Sequence, residues 1–328
     1  MTRILITARS FRDHDGPHQQ ILRDAGLELI WNPLDRPLDA AEIVPLLAEA
    51  DAAILGLDTV TCQAIERAPR LKVISRFGVG VDKVDVAAAT ERGVVVTVTP
   101  GANSVAVAEL TIGLILALAR HISHHDRIVR AGGWTRLSGQ ELQGSTLGLI
   151  GFGRIGQEVA RRAAAFDMRI IYCDPVAPPD ELVAMTGAQA RSLDALLAES
   201  DVVSLHVPLD DSTNGLIGAA QLARMKSTAL LVNTSRGGLV DEAALHAALQ
   251  GARLAGAAAD VFALEPPGDN PLLKLDNFIA TPHTGSATLQ TTLRMGWMAA
   301  RNALAVLEGK RPEHVVNPEV YYRLHGGA

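Results

Sequence analysis

The chain has 328 residues, more than one domain usually holds, so two are expected. Its formal net charge is −6 at pH 7 with the basic residues dispersed, which offers no electrostatic footprint for nucleic acid or for a membrane surface. Two cysteines, Cys62 and Cys173, form neither a CxxC motif nor a metal pattern. The longest apolar stretch, Leu110 to Ala119, is too short to span a bilayer, and no signal-type apolar region precedes the first strand, so a cytoplasmic protein is expected.

Short apolar runs open the chain: strands are expected near Ile4 to Thr7, Glu28 to Trp31, Ala52 to Leu55, Lys72 to Ser75 and Val94 to Val98. Alternating with helical stretches, they make a small α/β layer over residues 1–99. Ser75 to Gly80 then supplies flexible backbone, and clustered N–H donors in such a segment can receive an anion. Arg76 within it has a packed, structural reading. Asn103 precedes a long helical stretch from Ser104 to about Val129, where an N-cap role for Asn103 or Ser104 is an alternative to a site role. The first half of that stretch is more apolar than a surface helix needs.

A cofactor site is written next. The strand Ser145 to Ile150 runs into Gly151-Phe152-Gly153-Arg154-Ile155-Gly156, which opens a helix through Phe166. Gly151 permits the tight turn, Gly153 lets the backbone approach a pyrophosphate, and Gly156 lets helix and strand pack closely; the helix N-terminus faces the phosphates. A second strand, Arg169 to Cys173, ends at Asp174, roughly 20 residues on, where a carboxylate holds the ribose hydroxyls and repels the extra phosphate of NADP. NAD is the expected cofactor. The fold class is therefore α/β, with a doubly wound parallel-sheet (Rossmann) cofactor domain over 100–285 and a smaller flavodoxin-like substrate domain made from 1–99 and 286–328. The helix from Thr288 to Leu307 would return the chain to the first domain.

Three later apolar runs, Ala229 to Val232, Ala257 to Ala259 and Phe278 to Ala280, read as buried parallel strands, and Arg236, Glu265 and His283 lie just beyond them. Ligands of open α/β sheets bind outside the carboxyl ends of the strands, so the three can be neighbours. Oxidising a secondary alcohol needs a base for the hydroxyl proton, and the reverse reduction needs an acid for the carbonyl oxygen. Histidine serves both directions. Glu265 beside His283 would stabilise the imidazolium and orient the ring. Arg236 presents a planar fork that can hold a carboxylate or polarise a carbonyl oxygen.

The segments Gly151–Gly156, Asn233–Glu242, Asp260–Pro267 and Thr281–Gly285 resemble the signature blocks of the D-isomer-specific 2-hydroxyacid dehydrogenases, in the phosphoglycerate dehydrogenase-like branch. The resemblance runs from Val73 to Pro318. It implies an NAD-dependent oxidoreductase in which Arg236, Glu265 and His283 are catalytic. It implies that the N–H groups of Val79 and Gly80 receive the substrate carboxylate, and that Asn103 lies at a hinge beside the active site. It adds Thr234, and places His206 and Pro208 on the cofactor side. Asp260 resembles the family carboxylate near the nicotinamide amide, with a buried turn acceptor as its other reading. The family commonly forms homodimers through the helix after Asn103 and neighbouring cofactor-domain surface; a core helix is the alternative, and Trp134 and Trp297 are open to either a partner or a site.

Substrate identity is less determined. Where the phosphoglycerate enzymes resemble one another in an Arg-Ser-Ala-Thr-type segment, this chain has Gly56-Leu57-Asp58-Thr59-Val60, and Asp58 would repel a phosphate, unless Arg76 or Lys83 compensates. The end of the chain near Ala328 is also read as leaving no room for regulatory domains. A small unphosphorylated acid such as hydroxypyruvate or glyoxylate is expected, with a short D-3-phosphoglycerate dehydrogenase as the alternative. Formate dehydrogenase is disfavoured, since its resemblance would put Gln at Glu265. In another class, the fold also serves NADH-responsive corepressor-like binding proteins.

Overall fold

A computed structural model describes residues 1–324; the last four residues of the expected C-terminal segment, 325–328, lie outside the described residues. The chain divides into two compact units, one of Met1–Asn103 with the chain from Ala287 onward, the other Ser104–Ser286.

The first unit is built on a five-stranded parallel sheet of β1 (Arg3–Ile6), β2 (Glu28–Trp31), β3 (Ala52–Leu55), β4 (Val73–Arg76) and β5 (Val95–Thr97), in the order β2-β1-β3-β4-β5. That is the flavodoxin-like order. Helices cover both faces, so the strands bury alternate residues on opposite sides rather than exposing a polar face. Ala53 and Leu55 join Leu5, Ile74 and Val96 in one core, while Ala52 and Ile54 join Ile4, Ile6 and Val73 in the other. The second core is closed by Ala299, Ala300 and Ala303 of the helix Leu289–Leu307, and Ser75 Oγ donates to the Ala299 carbonyl at 3.0 Å. Asn317, fully buried, accepts from Val96 N–H at 2.8 Å and donates to the Val94 carbonyl at 2.9 Å. That pair of bonds ties the returning chain to the edge strand.

The second unit carries a seven-stranded parallel sheet of β6 (Thr146–Ile150), β7 (Arg169–Cys173), β8 (Gln189–Ala190), β9 (Val202–Leu205), β10 (Leu230–Asn233), β11 (Gly256–Ala259) and β12 (Phe278–Ala280). Its order is β12-β11-β10-β9-β6-β7-β8. The chain winds outward from β6 through β8 and then returns to β9 on the other side of β6, so the switch point falls between β6 and β9. Open α/β sheets bind their ligands at such a point. β12 is an edge strand whose Ala280 is exposed, against the expectation of a fully buried run.

The single helix expected from Ser104 to about Val129 is two, Ser104–Ala119 and Ile122–Arg130, with a 62° bend between them. His121 sits at the break in the left-handed region, φ 52°. No glycine or proline marks the break along the chain. Ala108, Ile112, Ile115 and Leu118 of the first helix pack with Leu147 and Leu149 of β6, Leu230 and Val232 of β10, and Val159 and Ala163 of the helix Arg154–Ala164. Those four residues are thus used inside the unit, while Val105 of the same helix is exposed. Among the described residues no single helix is long and apolar enough to cross a membrane.

Candidate active site

The turn after β6 has the geometry its glycines promise. Gly151 takes φ +93°, and a Cβ there would stand 2.5 Å from the His206 carbonyl oxygen; one on Gly156 would stand 2.4 Å from the Gly151 oxygen. Both positions exclude any side chain. A Cβ on Gly153 would meet nothing within 4 Å, so the space before the turn is open. The N–H groups of Gly153, Arg154, Ile155 and Gly156 have no hydrogen-bond partner among the described residues. An open cradle lined by unpaired donors at a helix N-terminus fits a pyrophosphate.

Asp174 closes this cradle on the side of β7. Its Oδ2 accepts from Phe152 N–H at 2.6 Å and its Oδ1 from Val176 N–H at 2.7 Å, leaving each oxygen a second lone pair for ribose hydroxyls. Beyond β9, His206 N–H donates to the Ile150 carbonyl at 2.7 Å, and its ring Nε2 pairs with Ser204 Oγ at 2.9 Å. Burial lowers the His206 imidazole to about 3, so the ring is neutral. Thr234, 8% exposed, pairs its hydroxyl with Thr111 Oγ1 at 2.9 Å and so anchors the end of β10 to the helix Ser104–Ala119.

Arg236, Glu265 and His283 follow three neighbouring strands, β10, β11 and β12. The structure brings Glu265 and His283 into direct contact: His283 Nδ1 lies 2.8 Å from Glu265 Oε2. An ionised carboxylate only accepts, so Nδ1 carries the proton in this pair. Glu265 Oε1 is fixed by Phe262 N–H at 3.1 Å. His283 itself stands in the left-handed region, φ 54°, with its N–H donating to the Asp260 carbonyl at 2.8 Å. Arg236 extends its turn with Nη1 donating to the Ser235 carbonyl at 2.7 Å, while Asn233 ties the same turn through its Nδ2 to the Arg236 carbonyl at 2.8 Å.

Asp260 has the contacts of a buried turn acceptor. Its carboxylate is 1% exposed and accepts from Thr281 Oγ1 at 2.5 Å, Thr284 N–H at 2.8 Å and Gly285 N–H at 2.7 Å. It organises the loop that holds His283 in its unusual conformation. Asp58 also differs from the sequence expectation. It is fully buried, accepting from Leu38 N–H at 2.8 Å, Gly56 N–H at 3.0 Å and Thr7 Oγ1, so it anchors a loop and is not presented to a substrate phosphate. Arg76, 4% exposed, donates to the Gly80 carbonyl at 2.9 Å and to the Leu55 and Gly56 carbonyls, in keeping with its packed, structural reading.

In the five-stranded unit the segment after β4 carries three successive N–H groups without a partner among the described residues, those of Gly78, Val79 and Gly80. Gly78 takes φ +149°, and its carbonyl accepts from Thr99 N–H at 2.9 Å. Asn103 Oδ1 is buried without a hydrogen-bond partner, so the N-cap bond considered for it is not formed. Sequence reasoning missed Gly237, where a Cβ would stand 1.9 Å from the Phe262 carbonyl carbon; the Arg236 turn is packed directly on the backbone of the Glu265 loop. The two adjacent glycines after Arg236 were the available signal.

A dinucleotide cradle at the switch point and an imidazole–carboxylate pair two strands along define an NAD-dependent oxidoreductase acting on CH–OH groups. Residues 112–285 match the family model for the D-isomer-specific 2-hydroxyacid dehydrogenase NAD-binding domain. The chain is 43% identical over 312 residues to a glyoxylate reductase of Thermofilum pendens, covering 93% of this chain and 92% of that protein. It is 46% identical over 283 residues to a D-3-phosphoglycerate dehydrogenase of Methanocaldococcus jannaschii, covering 85% of this chain but 54% of that longer protein. A crystal structure of a Thermus thermophilus protein superposes with a TM-score of 0.87 at 43% identity, over 96% of this chain and all of that one. The chain belongs to the D-isomer-specific 2-hydroxyacid dehydrogenase family.

Proposed function

We propose that this protein interconverts a small, unphosphorylated 2-keto acid and its D-2-hydroxy acid, with His283 as the acid/base and Arg236 as the substrate clamp. The observation that carries the reading is the 2.8 Å contact between His283 Nδ1 and Glu265 Oε2, which leaves Nε2 as the proton donor. NADH, when bound, supplies the hydride. In the direction of reduction the Nε2 proton passes to the carbonyl oxygen as it becomes a hydroxyl, and Glu265 stabilises the imidazolium from which that proton leaves. Arg236 lies two residues beyond Thr234 and offers a bidentate fork to a carboxylate or carbonyl oxygen. For Val79 and Gly80 the family resemblance carries the proposal: their backbone N–H groups are of a kind that receives a carboxylate.

Glyoxylate and hydroxypyruvate head the proposed substrates, supported by the likeness to a glyoxylate reductase over nearly the whole of both chains. The phosphorylated alternative keeps some support from the phosphoglycerate dehydrogenase relative, since Asp58 is buried and does not itself bar a phosphate. NADH oxidation against glyoxylate, hydroxypyruvate and 3-phosphohydroxypyruvate decides between them. A higher kcat/KM for the phosphorylated acid would overturn the reading.

The protein is further proposed to act as a homodimer through the cofactor unit. Trp134 is 76% exposed, and Ile122 and Val129 of the helix Ile122–Arg130 are more than half exposed, a concentration of apolar surface suited to a second copy. Light scattering of the purified protein tests this, and a monomer at micromolar concentration would refute it.

A further inference from the structure

Glu242 closes the Asn233–Glu242 block, is the first residue of the helix Glu242–Gln250, and has no part in the chemistry above. Both of its oxygens are nevertheless engaged by the loop that carries Glu265. Oε1 accepts from Ala263 N–H at 2.7 Å, and Oε2 accepts from Asn270 Nδ2–H at 2.6 Å. These bonds grip the loop on either side of Glu265. The close approach of Gly237 to Phe262 and Ala263 presses the same loop from the turn bearing Arg236.

We propose that Glu242 is a positioning residue for the reaction: it fixes the loop 261–270 so that Glu265 meets His283. The proposal rests on the acid/base reading of that pair. Its physical basis is donor–acceptor polarity. Both partners of Glu242 are N–H donors, and an ionised carboxylate is the side chain of this length that accepts on both ends. A glutamine would turn its NH2 toward one of them. Asn270 cannot answer by rotating its amide, because its Oδ1 already accepts from Leu272 N–H at 3.0 Å. Glu242→Gln therefore sets two donors face to face, and the loss of one of the two bonds weakens the hold on the loop.

The same polarity argument supplies a rescue. In Glu242→Gln/Asn270→Asp the glutamine oxygen takes Ala263 N–H, its NH2 donates to one oxygen of the aspartate, and the other oxygen keeps Leu272 N–H. Both bonds return, the one to position 270 with its direction reversed and the one from Ala263 N–H as before, and the net charge is unchanged. The experiment measures kcat and KM for the keto acid reduced fastest in the panel above, with the NADH Kd. Each single variant should lower kcat by about tenfold, against the roughly hundredfold that a misplacement of about 1 Å can cost, with KM and Kd within about twofold of the parent. The double variant should regain most of the loss, the signature of a direct coupling. An unchanged kcat in Glu242→Gln, or a double variant no faster than the slower single, would overturn the proposal even if thermal stability falls. Should Glu242→Gln fail to fold, Asn270→Ser keeps an oxygen for Leu272 N–H while releasing Oε2, and an undiminished kcat there overturns it equally. A His283→Asn variant measured alongside separates the two levels of inference. If it keeps full activity, the acid/base reading falls and this proposal with it; if it is inactive while Glu242→Gln matches the parent, only the positioning role falls.

Discussion

Glu265 meets His283 through one carboxylate oxygen at 2.8 Å while its other oxygen is held by the Phe262 N–H at 3.1 Å, so the acid partner of the imidazole is fixed at both ends. A pair built this way orients the ring and balances the charge that forms on it. The relationship is contained within one unit of the chain and joins the loops after β11 and β12.

Removing the ring should therefore separate chemistry from binding. His283→Asn should lower kcat by about 10² to 10⁴ while the NADH Kd stays within about twofold, since general acid–base catalysis contributes on that scale. Glu265→Gln should cost less, because an amide oxygen still accepts from Nδ1 but no longer offsets the imidazolium charge. Steady-state kinetics and fluorescence titration with NADH check both. Substantial turnover in His283→Asn would remove it from the acid/base role.

The glycines of the turn after β6 make distinct predictions, because they are required for different reasons. Gly156→Ala forces a Cβ against the Gly151 carbonyl at 2.4 Å, so the turn must shift and the melting temperature should fall. Gly153→Ala places its methyl in open space, and the apo protein should melt within about 1 °C of the parent, as surface substitutions of small effect do. Its NADH affinity should nevertheless drop at least about tenfold, as the methyl occupies ground a pyrophosphate approaches. Equal affinity in Gly153→Ala and parent would place the pyrophosphate elsewhere.

Much of this architecture is legible in the sequence because it depends on local pattern. The strand, glycine turn, helix and second strand ending at Asp174 appear in the chain in the order in which they are used, and most strands of both sheets follow from short aliphatic runs, while the exposed pair Gln189–Ala190 of β8 carries no such run. What the pattern does not carry is the direction a polar side chain takes. Asp58 reads as a charge facing a substrate because it falls in the segment where the phosphoglycerate enzymes have an Arg-Ser-Ala-Thr-type sequence, yet its carboxylate turns inward to bond Leu38 and Gly56. Asp260 is read from family resemblance as a carboxylate near the nicotinamide, with a turn acceptor as its alternative, and only the folded loop, with Thr281, Thr284 and Gly285 bound to it, shows which protein groups its oxygens meet. The helix break at His121 is hidden for a related reason. A histidine in the left-handed region has no sequence signature of the kind that glycine or proline provides.

Asp174 should set the choice of dinucleotide. Its carboxylate ends β7 beside the glycine turn, the position proposed for holding the ribose hydroxyls, and a negative charge there would oppose a 2′-phosphate. Asp174→Ser should raise kcat/KM for NADPH relative to NADH by at least about tenfold, the amount that about 1.4 kcal/mol of differential interaction represents. Because Asp174 also holds Phe152 N–H, part of the NADH affinity should be lost as well. An unaltered NADH-to-NADPH ratio would mean that another group holds the ribose.

A buried histidine outside the site should give the fold an acid-sensitive edge. His18 is fully buried, its ring packs edge-on against Phe11 at 4.4 Å, and its Nδ1 has no hydrogen-bond partner. Burial pushes its pKa below the ordinary 6.5, more than the Phe11 carbonyl and Asp15 raise it. A group whose folded pKa is depressed binds its proton more readily when unfolded, so stability is fully present above pH 6.5 and falls as the pH drops from there toward the folded value. The limiting slope is about 1.4 kcal/mol per pH unit for one proton. Melting temperatures measured between pH 7.5 and 5 should decline more steeply in the parent than in His18→Gln, whose amide can still donate to the Phe11 carbonyl but takes up no proton. Parallel declines in the two proteins would assign the acid sensitivity to other groups.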